Sequence, residues 1–259
     1  MLDYMLGFFL SWFANPHLIG IGLALVFGAI WLAGYWPPLF KKPWLWAVLA
    51  ISAILSLIAV SFIQIPLQAL VGQALGQFWS QETLLRWILL AGIPQILLSG
   101  LVQEGSKLVP VVIWWLGENR TLAPKIGLAI GAVAGAGLGV FEAVWAHNSI
   151  FAAGWSWGMV EEGGYIVLAG FWERFFAVAF HIAASALAGY GLARGWGWQF
   201  YLLAAFLHSL LNYGVVLLQA GIFTVVHIEI YAAVVAVLVT AVALWLRWRK
   251  GEETEAIEQ

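Results

Sequence analysis

The sequence predicts an all-α integral membrane protein, a bundle of about seven transmembrane helices with eight as the alternative count. Of its 259 residues, 63% are hydrophobic and 9% are charged, whereas a soluble domain carries about a quarter charged residues. Apolar stretches of roughly 20 residues, the length that a helix needs to cross a bilayer, recur between short charged loops. Both observations indicate a chain that folds with lipid as its solvent.

We place seven spans along the chain from this pattern. They cover residues 18–35, 44–63, 84–116, 126–153, 165–193, 198–220 and 228–248. The third is too long for one straight crossing, and Pro94 and Gly100 interrupt it. Because proline removes a helical hydrogen bond, we expect this span to kink or to begin as an interfacial piece before Glu104.

The basic residues predict that the N-terminus lies outside and the C-terminus lies in the cytoplasm. With this orientation most of the 11 Lys and Arg residues fall in cytoplasmic segments, where membrane proteins concentrate positive charge. Only Arg86, Lys107 and Arg174 lie outside this tally. The cytoplasmic residues are Lys41, Lys42, Arg120, Lys125, Arg194, Arg247, Arg249 and Lys250.

Residues 64–81 form a segment that is too short and too polar to cross a bilayer. We interpret it as an interfacial helix, because its glutamines recur at near-helical spacing. Counting it as a span would also break the alternation of charge between later loops. The glutamines are Gln64, Gln68, Gln73, Gln77 and Gln81.

We assign residues 1–250 to a single membrane domain, with the chemistry-bearing motifs between residues 104 and 213. The acidic tail, residues 251–259, is expected to be disordered. No basic segment or cleavage site precedes the first span, so we expect no removable signal. The absence of cysteine excludes a cysteine nucleophile and a thiolate metal site. A short multi-pass chain suits a prokaryotic plasma membrane, and the net charge of -2 gives no reason to expect nucleic acid as a partner.

Ionisable side chains inside the predicted spans are the main functional signal. A charge near the bilayer centre costs at least ~2.5 kcal/mol, so such residues are functional candidates by default. At ~1.5 Å per residue, acids and imidazoles on four spans lie roughly 17 to 25 Å from the cytoplasmic ends. Unrelated structural residues would have no reason to agree in depth. The candidates are Glu104, Lys107, Glu142, Glu173, Arg174, His181, His208 and Asn212.

The fourth and sixth spans also indicate which faces carry these candidates. Glycines recur every four residues from Gly127 to Gly139, and such a stripe lets neighbouring backbones approach closely. Glu142 follows Gly139 by three residues, so it is predicted to project into the bundle from nearly the same face. His208 and Asn212 are four residues apart and share a face as well.

Structural interpretations stay open for several candidates. Glu104 and Lys107 are three residues apart, so an intrahelical ion pair is an alternative to chemistry. Glu173 and Arg174 are adjacent, so we expect their side chains to point in different directions and to have a supporting or gating role. No function is assigned to the histidines near the span ends, His17, His147 and His227.

The candidate set has the groups that peptide hydrolysis needs, namely a base for water and donors for an oxyanion. In a metal version His181, His208 and Glu142 hold Zn²⁺ and Glu104 acts as the base. In a metal-free version no cofactor is needed: Glu104 and His181 activate water, and His208 and Asn212 donate to the oxyanion. The sequence leaves both versions open.

Four motifs resemble those of the YhfC-like and PrsW-like intramembrane proteases, within the CAAX-processing and bacteriocin-processing protease superfamily. Residues 103–107 (QEGSK) look like the family's Glu-Glu-x-x-Lys/Arg element, and residues 135–143 (GAGLGVFEA) look like its glycine-rich stretch ending in Glu. Residues 173–185 (ERFFAVAFHIAAS) are the closest match, particularly to the YhfC branch. Residues 208–212 (HSLLN) are similar to the terminal His-x-x-x-Asn/Asp motif.

The resemblance covers less than half of the chain and keeps the order and spacing of all four motifs. It implies a protease classed as a metalloprotease, although metal-free glutamate catalysis is argued for relatives. Two positions depart from the pattern: Gln103 replaces the first glutamate, and Leu138 stands where a YhfC-type histidine is expected. The active-site set implied by the resemblance is Glu104, Glu142, His181, His208 and Asn212.

Other functions are consistent with the same residues. Acids and histidines at mid-depth also form the proton relays of proton-coupled or ion-coupled transporters. A catalytically inactive relative that binds peptides or lipids is a further alternative, and a haem with two histidine ligands is a third. The predicted partners are a membrane protein or peptide substrate and the lipid bilayer, and the oligomeric state is left open.

Overall fold

The computed structural model describes residues 1–250, and over this range it is helical with no β-strand. The predicted tail, residues 251–259, lies outside the described residues. The helices are α1 (Leu2–Ser11), α2 (Leu18–Ala33), α3 (Trp44–Ala59), α4 (Ile65–Phe78), α5 (Gln81–Arg86), α6 (Ile88–Ala91), α7 (Ile93–Gly117), α8 (Pro124–Ala152), α9 (Trp157–Gly163), α10 (Ala169–Ala193), α11 (Gly197–Gln219) and α12 (Val225–Trp248).

Within the described residues, six helical stretches are long and apolar enough to cross a membrane, which agrees with the predicted multi-pass architecture. Helix α2 is apolar but has only 16 residues, a length of ~24 Å against a hydrocarbon core of ~30 Å. The number of transmembrane helices is therefore six without α2 and seven with it. The six stretches are Trp44–Phe78, Ile88–Gly117, Pro124–Ala152, Tyr165–Ala193, Gly197–Gln219 and Val225–Trp248.

Helices α8 and α10 form the centre of the bundle. In their most apolar stretches 78% and 83% of the residues are buried, against 28% to 44% in the other four spans. Both helices are rich in alanine and glycine, and small side chains let a helix be surrounded by neighbours on every side. Helices α2, α3, α7, α11 and α12 pack around this pair.

The glycine stripe of α8 faces α10, as the sequence predicts. A Cβ atom added at Gly131 would lie 2.1 Å from the carbonyl oxygen of Ser185. One added at Gly135 would lie 2.1 Å from the carbonyl oxygen of His181. Only glycine permits this approach, so the stripe sets the distance between α8 and the helix that carries His181. The stripe consists of Gly127, Gly131, Gly135 and Gly139.

The predicted end of the second span at residue 63 is wrong. Trp44–Phe78 is one continuous helical stretch in which a π-helical turn, Val60–Gln64, joins α3 to α4. Part of the predicted polar stripe packs on α7, since Gln68 donates to the Gln95 carbonyl at 2.8 Å and Gln95 donates back at 3.0 Å. A separate interfacial helix is therefore not formed. The π-helical turn rotates the following residues relative to α3, a feature often found at functional sites.

The third predicted span is interrupted before Glu104, as expected. The helix is interrupted at Trp87, between α5 and α6, and at Gly92, between α6 and α7. Pro94 lies in the first turn of α7. Gly100 was expected to be an interruption and is instead inside α7. A Cβ atom there would lie 2.3 Å from the Ala205 carbonyl oxygen, so Gly100 brings α7 against α11.

Three basic residues at or near helix ends, Lys42, Lys125 and Arg247, lie at one end of the bundle. The Arg247 Nε donates to the Tyr35 carbonyl at 2.8 Å, which ties the end of α12 to the end of α2. Lys42, before α3, and Lys125, in the first turn of α8, line one cavity with Arg247. The predicted orientation places these three residues in cytoplasmic segments.

The close packing of α8 on α10 leads to a first prediction. We expect Gly135→Ala to lower the free energy of unfolding by about 2 kcal/mol or more, because the new methyl group would overlap the His181 carbonyl. Thermal unfolding in detergent would measure the loss. The matched control is Gly22→Ala in α2, where an added Cβ has nothing within 4 Å. Equal stability of both variants would contradict the packing.

Candidate active site

Glu104, His181 and His208 meet in the interior of the bundle. They come from α7, α10 and α11, and their relative exposures are 0%, 3% and 2%. The His181 and His208 rings lie 5.2 Å apart at an angle of 65°. The structure therefore brings together three of the candidate residues from three separate helices.

The Glu104 carboxylate is held through only one of its oxygens. Oε1 accepts a hydrogen bond from the Lys107 ammonium at 2.6 Å and lies 2.7 Å from Nδ1 of His208. Oε2 is buried and has no hydrogen-bond partner among the described residues. A buried polar atom of this kind is rare in a folded protein, and each case calls for a functional or solvent explanation.

The His181 ring lies between the Lys107 ammonium and the Glu142 carboxylate. Its Nδ1 is 3.2 Å from the Lys107 ammonium, and its Nε2 is 3.0 Å from Oε2 of Glu142. Because an ammonium can only donate, Nδ1 accepts, and Nε2 carries the proton that it donates to Glu142. The surroundings therefore assign a neutral His181 in one tautomer. The contact between Lys107 and His181 was not predicted from the sequence.

Arg174 continues this chain of polar contacts away from the buried centre. Its guanidinium lies 3.2 Å from Oε2 of Glu142 and also pairs with Glu173. The expectation that the adjacent side chains of Glu173 and Arg174 point apart is wrong, because both turn toward each other. The side chains of Glu142 and Arg174 are 22% and 17% exposed, so this end of the network is closer to the surface.

Asn212 lies beside the site and not in its centre. Its Nδ2 donates to Oγ of Ser99 at 3.1 Å, and Gln103 donates to the same oxygen. Gln103 also donates to Gln64, which the π-helical turn carries, at 3.1 Å. Sequence reasoning missed this amide network, although the glutamine stripe was a signal for it.

Leu138, the position at which the family pattern has a histidine, points away from the two site histidines. It is 1% exposed and packs in a cluster with Trp12 and Leu57. His147, near the end of the fourth predicted span, is completely buried. Its Nδ1 lies 3.0 Å from the carbonyl oxygen of Gly20, which is a packing contact between α8 and α2.

Glu104, His181 and His208 could hold a metal ion, because their ligand atoms all lie within 4.8 Å of one another. The third ligand in this group is Glu104, whereas the sequence predicts Glu142 as the third ligand. Zinc accepts carboxylate and imidazole ligands, and catalytic zinc typically has three protein ligands. However, the Lys107 ammonium already contacts two of the three residues. A divalent ion would have to displace this ammonium, and nothing in the geometry identifies zinc.

No family model, no curated protein and no solved structure matches the chain. The resemblance to intramembrane proteases therefore continues to depend on the four short motifs and on their order.

The buried ion pair provides a second prediction. We expect Lys107→Met to lower the free energy of unfolding by about 3 kcal/mol or more, because it leaves the Glu104 carboxylate buried without a cation. Adding Glu104→Gln should recover at least about 1 kcal/mol of this loss. Unfolding in detergent would measure the cycle, with the exposed Lys41→Met as control. A double variant no more stable than Lys107→Met would contradict the pairing.

The contact of Lys107 with the metal-ligand group provides a third prediction. We expect Lys107→Met to bind Zn²⁺ at least about ten-fold more tightly than the unmodified chain, because no ammonium competes for the ligands. Lys107→Arg, which keeps a cation, should show no gain. Zinc content and the shift in melting temperature would measure this. Stoichiometric zinc in the unmodified protein, lost in both His181→Ala and His208→Ala, would show that Lys107 does not compete.

Proposed function

We propose that the chain is an intramembrane endopeptidase that hydrolyses a membrane-embedded or membrane-proximal peptide bond with a water molecule activated by Glu104. One observation carries the proposal: the Glu104 carboxylate is fully buried and held through Oε1, while Oε2 has no partner among the described residues. Such an oxygen is available to take a proton from water, which is the task of a general base. The resemblance of the four motifs to the YhfC-like and PrsW-like proteases supports the same reaction class.

The reaction proceeds in two proton transfers. The water oxygen attacks the carbonyl carbon of the peptide bond while Oε2 of Glu104 takes one water proton. A tetrahedral intermediate forms, with negative charge on the former carbonyl oxygen. Glu104 then gives its proton to the amide nitrogen as the carbon–nitrogen bond breaks. The products are an amine and a carboxyl group, and Glu104 is again ionised.

Lys107 is the group best placed to stabilise the negative charge of this intermediate. Its ammonium contacts Glu104 and His181 and is completely buried, and in a water-excluded site a fixed positive charge stabilises an oxyanion strongly. The contacts of Lys107 continue through His181 to Glu142 and from there to Arg174.

The remaining predicted site residues have positioning roles in this proposal. Glu142, paired with Arg174, accepts from His181 and fixes the orientation of its ring. Glu173 in turn pairs with Arg174. Asn212 contacts Ser99 of α7, so it positions α11 against α7 instead of donating to the oxyanion.

A substrate route is supported by a cavity of 430 Å³ between α7, α10 and α11. It is lined by Gly105, the neighbour of Glu104, and by Tyr201, whose hydroxyl donates to the Leu101 carbonyl at 3.0 Å. We propose a topology of about seven spans, counting α2, with the C-terminus in the cytoplasm of a prokaryotic cell. In this topology the cavity opens toward the cytoplasmic half of the membrane. Movement of Tyr201 would connect it to Glu104.

A proton-coupled transporter is the second candidate, and one observation favours it. Ionisable groups form an unbroken chain of contacts from the buried centre to the more exposed Glu142 and Arg174. Chains of this kind conduct protons in pumps and transporters. A bis-histidine haem is disfavoured, because the His181 and His208 rings are 5.2 Å apart and leave no room for a porphyrin between them.

Cleavage of single-span peptides provides the fourth prediction. We expect wild-type protein, reconstituted in liposomes with a library of synthetic transmembrane peptides, to generate new peptide termini that mass spectrometry detects. Glu104→Gln should abolish them, a loss of at least about 100-fold, because an amide cannot act as the base. The control is Glu82→Gln, which removes an exposed carboxylate in α5, before α7. Glu82→Gln should melt like the unmodified chain, whereas Glu104→Gln leaves Lys107 buried without a carboxylate, should melt at a lower temperature, and is assayed below that temperature.

The same liposomes separate the two candidate functions. With a pH-sensitive dye inside, the endopeptidase shows cleavage and no proton flux that depends on Glu104. Flux that Glu104→Gln removes, together with the absence of cleavage, would establish the transporter and overturn the proposal. Neither activity would favour a relative that only binds peptides or lipids.

A further inference from the structure

Charged side chains near the Glu104 site remain partly exposed although they lie inside membrane-spanning helices. The side chains of Glu142 and Arg174 are 22% and 17% exposed, and that of Glu173 is 31% exposed. Glu142 lies ten residues before Ala152, the last residue of α8, which is ~15 Å along the helix. A charge that faces acyl chains at such a position is costly. The exposed surface of these side chains therefore has to face a polar medium.

Helix α11 has an exposed residue on the face that carries His208. Val215 follows His208 by seven residues, so their side chains lie on one face of the helix, two turns apart. Val215 is 47% exposed, whereas its neighbours Gly214 and Val216 are buried. Because His208 points into the bundle, the exposure of Val215 is toward the interior. An open space therefore lies between His208 and the end of α11.

Acidic residues surround the mouth of this space. Glu229, in the second turn of α12, interacts electrostatically with both Glu173 and Arg174 of α10. Trp172 donates from its indole to the Glu229 carbonyl at 3.3 Å, which joins α12 to α10 at this level. The mouth lies where α8 and α11 end and where α10 and α12 begin. In the predicted orientation this is the outer side of the membrane.

We propose that a water-filled crevice opens at this end of the bundle, reaches Glu142 and supplies the water that Glu104 activates. The inference rests on the proposed hydrolysis and adds the side from which water arrives. Glu142 lies 3.0 Å from His181, and the His181 and His208 rings are 5.2 Å apart, so the crevice ends at the group around Glu104. The cavity beside Gly105 lies at the other end of α10, so peptide and water arrive from opposite ends.

The test introduces single cysteines, because the chain has no cysteine of its own. Leu211→Cys places a thiol on the crevice side, since Leu211 follows His208 by three residues and is half-buried. Leu210→Cys is the matched control, the same substitution at the same depth, and Leu210 is 38% exposed and faces away from His208. Both full-length variants are placed in lipid nanodiscs and treated with a cationic thiol reagent that does not enter lipid.

We expect Leu211→Cys to react at least about ten-fold faster than Leu210→Cys, because a thiol reacts as the thiolate and a thiolate forms in water, not among acyl chains. This order is the reverse of the order of exposure, since Leu210 is the more exposed of the two. Mass spectrometry of the intact protein measures both rates. A rate for Leu211→Cys that is equal to or below that of Leu210→Cys would overturn the crevice.

A second pair of variants protects the test against misfolding. If Leu211→Cys melts below the unmodified chain, Val215→Cys is compared with Ile230→Cys. Val215 lies four residues before the end of α11, and Ile230, which is 56% exposed, lies five residues after the start of α12. Val215→Cys should then react at least about ten-fold faster, since only its thiol faces water. Equal rates would overturn the crevice.

The peptide-cleavage assay separates the crevice from the proposed function. Attachment of the reagent to Leu211→Cys should lower the cleavage rate at least about ten-fold, because hydrolysis needs water at the base. Attachment to Leu210→Cys should leave the rate unchanged. An unchanged rate after modification of Leu211→Cys would overturn the supply of water through the crevice. If the unmodified chain cleaves no peptide, the proposed function fails, and the reaction rates of the two thiols still decide whether the crevice exists.

Discussion

The structure of the site depends on the buried contact between the Glu104 carboxylate and the Lys107 ammonium. Both side chains are fully buried, and each alone would be very costly in the apolar interior of a membrane protein. Together they fix each other one turn apart on α7. The same ammonium orients His181, and the same carboxylate orients His208, so two helices are positioned by one ion pair.

The backbone packing of α8 on α10 is what lets this network close. Glycines of α8 lie directly against the α10 backbone, and this brings Glu142 within 3.0 Å of His181. Gly100 has the same role between α7 and α11, four residues before Glu104. Since a side chain larger than a hydrogen atom would separate these helices, the polar network and the small residues depend on each other. A change in the packing of these helices would therefore also change the contacts of the polar network.

The position of Lys107 also connects the alternative functions. The Lys107 ammonium contacts both Glu104 and His181. In the proposed hydrolysis it supplies the charge that an oxyanion needs, in a transporter it would complete a chain of proton-exchanging groups, and it would compete with a metal ion for its ligands. Which of these properties is used follows from what reaches the site. The cavity beside Gly105 and Tyr201 has a volume of 430 Å³ and a mostly apolar lining, and this is why we favour peptide hydrolysis over transport.

The sequence by itself indicated the membrane class, most of the helices and the three candidate residues that meet inside the bundle, Glu104, His181 and His208. Hydropathy and helical periodicity are local properties, so the depths of Glu104, His181 and His208 and the glycine face of α8 could be read from spacing. Only the tertiary structure decided which groups touch. The pairing of Lys107 with His181, the contact of Asn212 with Ser99 and the burial of His147 depend on helix rotation and side-chain direction between distant segments. The continuity of the stretch Trp44–Phe78 was missed because a π-helical turn leaves no pattern in the sequence. The hydrogen bond of Gln68 to Gln95 of α7 was missed because it joins distant segments.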